Sequence, residues 1–132
     1  MAEATRWLDW AGEDLELAEY AFTRGIWRQA CCHSQQVVEK TLKGILDARR
    51  GDHPRGHSLE ALLLHDPQVR TELAQWRDAC RFLDVFYAVT RYPDALPGLV
   101  PEDQPSQADA ERAVREAKAV LTDVRGRRSS RG

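Results

Sequence analysis

The stretch WRQACCHSQQVVEKTLKGILDARR, from Trp27 to Arg50, constrains the rest of the chain more than any other. It holds no proline, and its only glycine is Gly44. Apolar or small side chains recur at Trp27, Cys31, Ser34, Val38, Leu42 and Ile45, steps of three and four that draw one stripe along a helix. The opposite side carries Gln29, His33, Gln36, Lys40, Lys43 and Asp47. A long helix with one apolar face needs other helices to cover it. Its polar face is where a function is to be sought.

The flanking sequence supplies those other helices. Leu8, Ala11, Leu15, Ala18 and Phe22 repeat at helical spacing, with Trp7, Asp14 and Ala21 along one edge, predicting a first helix over 2–22. Arg24-Gly25 ends it, and the short break folds the second helix back antiparallel. Arg49-Arg50-Gly51 closes the second helix in the same way. After the polar loop GDHPRGH, Ser58 is the expected N-cap of a short helix over 59–64. Asp66-Pro67 breaks the chain again, with Pro67 suited to a first helical turn. Val69, Leu73, Trp76, Cys80, Leu83 and Tyr87 then predict one continuous helix over about 68–89. Pro93, Pro97, Pro101 and Pro105 exclude a regular helix in the segment that follows. Ser106 and Asp109 form a capping-box pattern for a last helix over about 107–124, striped by Ala110, Val114, Ala117, Leu121 and Val124. No run reads as a strand. The expectation is an all-α, antiparallel up-and-down bundle of four long helices and one short one, with the first, second, fourth and fifth as its walls. One domain over 1–125 is followed by a basic, unfolded tail over 126–132.

Composition narrows the function classes. Of 132 residues, 19 are basic and 21 acidic, a formal charge of −2. Setting aside Arg125, Arg127, Arg128 and Arg131 leaves 15 basic against 21 acidic groups, −6 for the body. A body of that sign attracts nucleic acid only through a local patch. No segment approaches the ~18 apolar residues of a membrane span, and the acidic, helical N-terminus does not resemble a signal peptide. Three cysteines without metal-type spacing read as reduced thiols in a cytoplasm, with Cys31 and Cys80 on apolar stripes in the core. Neither a phosphate-binding glycine loop nor GxSxG, HExxH or CxxC occurs. No metal site or cofactor is expected from His33, His53, His57 and His65, which are scattered over a helix, a loop and a turn.

Four segments in order resemble the HEPN domain family (higher eukaryotes and prokaryotes nucleotide-binding). These are WLDWAGEDLELAEYAF, SQQVVEKTLKGIL, GHSLEALL and LDVFYAVTRYPDALP. The resemblance spans nearly the whole chain. It implies an up-and-down helical bundle, usually a homodimer, active around nucleotides or RNA. Many members are encoded beside a small nucleotidyltransferase, and some are the toxin of a toxin–antitoxin pair.

Ribonucleases of that family carry Arg, four to six residues, then His, near the dimer cleft. Arg28 and His33 have the spacing but lie inside a helix, where five steps of about 100° set them roughly 140° apart. Arg50 and His57 have it across a loop. Where the family motif belongs, this chain has Arg91-Tyr92-Pro93-Asp94 with no His downstream. Arg91 at a helix end can fork onto a phosphate, and Tyr92 can stack on a base. Alternatively Arg91 pairs with Asp84 or Asp94, and Tyr92 packs the loop. Lys40, Lys43 and Gln36 share a face suited to a phosphate and a base or ribose, or Glu39–Lys43 is simply an i,i+4 pair. Gln35 is expected as a buried amide bonding a neighbouring backbone. His57 is either structural or an anion contact at the short helix's start.

The expected ligand contacts are therefore Gln36, Lys40, Lys43, Arg91 and Tyr92, supported by His57 and Asp94. No residue is assigned to catalysis, for which Arg91 and His57 are the candidates of this set. The expected partners are a second copy, a minimal nucleotidyltransferase, and a nucleotide or RNA, with no membrane. Two alternatives stand beside this accessory module: a metal-free ribonuclease toxin using Arg50/His57 or Arg91, and a pure protein–protein module. The last is suggested by aromatic residues such as Phe82, Phe86 and Tyr87, which one helix cannot all turn inward.

Overall fold

The computed structural model describes residues 2–91 and 105–130. Six helices follow one another: α1 (Ala2–Thr23), α2 (Trp27–Arg50), α3 (Leu59–His65), α4 (Pro67–Glu72), α5 (Arg77–Arg91) and α6 (Gln107–Ser130). A single 3-10 turn, Ala74–Trp76, separates α4 from α5. The described residues contain no strand, and the architecture is the expected all-α bundle. None of the described helices is long and apolar enough to cross a membrane.

Local chemistry sets most of the boundaries. At the end of α1, Gly25 takes φ +74°, and Ile26 N–H bonds Ala21 C=O at 2.9 Å, closing a left-handed cap. Gly51 does the same for α2 at φ +82°, its N–H bonding Asp47 C=O at 2.9 Å. Asp66 caps α4 by accepting from the backbone N–H groups of Gln68 and Val69, both at 3.0 Å, with Pro67 in the first turn. The predicted capping box is present in both directions. Ser106 N–H donates to Asp109 Oδ2, and Asp109 N–H donates to Ser106 Oγ, each at 3.1 Å.

Helix α2 is the axis of the molecule. It packs against α1, α3, α5 and α6. Cys31, Ser34, Val38, Leu42 and Ile45 of its predicted stripe are buried, and so are Val37, Thr41 and Leu46 on its flanks. Trp27 lies half-buried at the start, against Phe22 with ring centres 5.4 Å apart. Cys31 and Cys80 sit in the core, and burial pushes both thiols up to about 12.

Two expectations require correction. The predicted helix over 68–89 is broken at Leu73, which leaves helical geometry (φ −110°, ψ 20°) while its side chain stays fully buried. The 3-10 turn that follows keeps side chains three apart on one side, so the hydrophobic stripe continues through the break and gives no sign of it. Trp76 in that turn reaches α6, where its indole N–H donates to Asp123 Oδ2 at 2.7 Å. The second correction concerns the tail. Helix α6 continues to Ser130, past the expected start of an unfolded segment. Arg127 pairs with Asp123 one turn back at 3.1 Å. Arg125, just before that segment, donates to Leu8 C=O on α1 at 3.2 Å. Gly12 makes room for this crossing, since a Cβ there would lie 2.7 Å from Arg125 Nη2.

Candidate functional site: carboxylates under the polar face of α2

The polar face of α2 is not an open surface. Its cations and imidazoles meet carboxylates that are buried or half-buried. Glu39, on α2 itself, is 5% exposed and gathers four side chains. Lys43 Nζ donates to its Oε2 at 2.9 Å, one helical turn away. His57 Nδ1 reaches the same oxygen at 3.0 Å from the loop before α3. A carboxylate can only accept, so this ring nitrogen carries the proton. Gln35 and Gln36 Nε2 approach Oε1 at 3.2 and 3.4 Å. Gln35 also donates to His57 C=O at 3.1 Å, the backbone bond expected of a buried amide there. The His57 ring stacks on Tyr87 of α5, centres 4.6 Å apart and 16° from parallel.

A second cluster forms where α1 crosses α2. Asp14, 7% exposed, accepts from His33 Nδ1 at 2.9 Å and from Lys40 Nζ. A third lies near the end of α2. Asp47 accepts from the Trp7 indole N–H at 2.7 Å and from His53 Nδ1 at 2.6 Å. Three histidines that look scattered in sequence are thus each paired with a carboxylate bearing on α2.

Burial alone would raise the pKa of Asp14 and Glu39. The bonds from His33 and Lys40 to Asp14, and from Lys43 and His57 to Glu39, outweigh it and hold both groups below their usual values of 3.8 and 4.5. A carboxylate lowered in the folded state contributes stability above its unfolded pKa and loses it as pH falls through the folded value. Stability should therefore drop on acidification from above 4.5 through the lowered values of these two groups. Asp14→Asn should flatten that acid limb while weakening the protein at pH 7, as read by urea unfolding at a series of pH values. Asp84 opposes the trend. Burial raises its pKa, so it favours folding more as it takes up a proton.

The expected contacts are brought together in part. Gln36, Lys43 and His57 converge on Glu39, whereas Lys40 belongs to the separate Asp14 cluster. Arg91 is the last residue of α5; its side chain, and Tyr92 and Asp94 entirely, lie outside the described residues. Asp84, a suggested partner of Arg91, has another task. It accepts from the backbone N–H groups of Leu59 at 2.7 Å and Glu60 at 3.1 Å, and from Ser58 Oγ at 3.3 Å. The start of α3, offered in sequence as an anion contact for His57, is thus already filled by a carboxylate from α5. Arg50 and His57, the ribonuclease-spaced pair across the loop, engage different acids. Arg50 bonds Asp66 at 3.0 Å, and His57 bonds Glu39. The aromatic surplus on α5 also finds intramolecular partners. Phe82 lies edge-on to Phe86 with centres 5.1 Å apart, and the Arg112 guanidinium covers its face at 3.9 Å. Sequence reasoning missed Asp14 as a site residue, although its place at the edge of the α1 stripe was the available signal.

An antiparallel helical bundle with charged groups buried along its central helix defines the class. The chain belongs to the HEPN domain family, whose model matches residues 4–127. Solved structures agree. The protein TT1696 of Thermus thermophilus superposes with a TM-score of 0.82 at 34% identity, over 96% of this chain and 98% of that one. ST0689, an archaeal HEPN homologue, gives 0.75 at 35% identity over 96% and 98%. A HEPN domain protein of Thermotoga maritima gives 0.66 at 28% identity over 94% and 98%. No curated protein matches the chain.

Proposed function

We propose that this HEPN-family chain is a cytoplasmic accessory module that associates with a nucleotide or RNA and works beside a separate minimal nucleotidyltransferase, in a toxin–antitoxin-like pair. Family membership supports the nucleotide or RNA association. The observation that carries the site is the convergence of Gln36, Lys43 and His57 on one buried carboxylate. Glu39 holds an ammonium and an imidazole in fixed positions at the mouth of the α2–α3 loop, so little side-chain freedom is lost when a ligand arrives. The division of Arg50 and His57 between Asp66 and Glu39 favours binding over ribonuclease chemistry, which needs both at one phosphate.

The purified chain should bind short single-stranded RNA and leave it intact, and it should co-purify with a co-expressed minimal nucleotidyltransferase. Cleavage of the RNA that disappears in His57→Ala or Arg91→Ala would replace this reading with the ribonuclease toxin.

One observation favours a role for protein contacts. Trp10, Leu17 and Tyr20 lie along the outer side of α1, spaced seven and three apart, and are 41%, 50% and 58% exposed. A pure protein–protein module would use this stripe, for a second copy or another partner. Flat titrations with nucleotides and RNA alongside tight partner binding would select it.

A further inference from the structure

The loop between α2 and α3, together with α3 itself, lines an open cavity of about 220 Å³, bordered by Pro54, Arg55, His57, Ser58, Leu62 and His65 among others. We infer that this cavity is a seat for a phosphate monoester, the phosphorylated end of a nucleotide or of an RNA strand. The inference rests on the reading of the chain as nucleotide- or RNA-associated and gives that reading a place.

Charge is the first argument. Arg55, His57 and His65 line the cavity, and none of its described lining residues is acidic. Among the described residues, Arg55 and His65 have no ion pair or side-chain hydrogen bond, whereas Lys40 and Lys43 bond Asp14 and Glu39. A second cavity, about 380 Å³ between α1 and α6, is lined by Asp9, Glu13 and Glu16 together with Arg125. Of the two, only the loop cavity suits an anion.

Preorganisation is the second argument. Two pairs pin the loop back onto α2: His53 to Asp47 at 2.6 Å and His57 to Glu39 at 3.0 Å. Arg55 stands between these two anchors. Pro54 fixes its own φ, and Gly56 takes φ +112°, which a side chain would strain. Glu39 binds Nδ1 of His57 and so fixes that ring at the cavity wall. Arg55 supplies a fork of donors matched to phosphate oxygens.

Size is the third. A whole small-molecule site usually measures about 300–1,000 Å³. A cavity below that range takes an end group and leaves the rest of the ligand on the surface.

Isothermal titration of the full chain with AMP, adenosine, and a hexaribonucleotide with and without a 5′-phosphate tests the inference. Each phosphorylated ligand should bind about tenfold or more tightly than its unphosphorylated counterpart, the scale of one charge-assisted contact. Whichever of AMP and the phosphorylated hexamer binds more tightly identifies the source of the phosphate. Arg55→Ala and His65→Ala should each reduce the discrimination about tenfold with thermal unfolding unchanged, since both side chains are exposed. Lys118→Ala, on the outer side of α6, should retain it. Equal binding with and without the phosphate, or discrimination that survives Arg55→Ala, would overturn the cavity assignment while leaving RNA association standing. No binding of any of the four ligands would overturn both.

Discussion

Glu39→Ala is expected to destabilise the protein by about 3–5 kcal/mol, the usual consequence of removing one partner from a buried ion pair. Glu39 and Lys43 have side chains only 6% and 12% exposed, so water cannot replace the lost carboxylate. The truncation leaves the Lys43 ammonium unpaired and takes a hydrogen-bond acceptor from Gln35, Gln36 and His57. The loop loses its second anchor at the same time, so any binding that depends on Arg55 should fall with it. Urea unfolding of Glu39→Ala, Lys43→Met and the double variant measures this. The double variant should be less destabilised than the sum of the singles, because no charge is then left stranded. A cost below about 1 kcal/mol for Glu39→Ala, the level of an exposed pair, would mean that the cluster is solvated and its geometry is not fixed.

Leu42→Ala should cost about 2–5 kcal/mol. Leu42 is 1% exposed in the hydrophobic core, on the helix that packs against α1, α3, α5 and α6, so the void would open inside the bundle. Leu17→Ala provides the contrast. That residue is 50% exposed on the outer side of α1, and its loss should stay within about 0.5 kcal/mol for the monomer. A Leu17→Ala cost comparable with that of Leu42→Ala, growing with protein concentration, would show that the α1 stripe is covered in an oligomer.

Much of the bundle was legible because helices are specified locally. The limits of α2 at Trp27 and Arg50 follow from a glycine on either side. Ser58, Asp66 and the Ser106–Asp109 pair name their helix starts through bonds spanning two or three residues. The break at Leu73 was not legible, because the stripe Val69–Leu73–Trp76–Cys80 is the same for one helix or for two joined by a tight turn. The continuation of α6 to Ser130 was hidden for a different reason. A run of arginines carries no apolar stripe, and its helical support comes from Asp123 and from a carbonyl on α1.

The site divides in the same way. Glu39–Lys43 is a neighbour pair on one helix and could be read directly, as could the buried amide of Gln35. The other contacts join residues far apart in the chain: His57 to Glu39 over 18 positions, Lys40 to Asp14 over 26, Trp7 to Asp47 over 40. Spacing indicated which residues face away from the apolar stripe of α2, but not that α1 and the α2–α3 loop would close over that face. Lys40 and Lys43 therefore read as a shared open surface and prove to belong to separate clusters.

The sequence by itself determined the helices, their caps and the apolar face of α2, because each depends on side chains within a turn of one another. Only the tertiary structure decided which acid meets which base, and that Arg55 and His65 line a cavity with no counter-charge among the described residues. That pairing depends on how far each helix slides along α2 when the core closes, a register that no local pattern encodes.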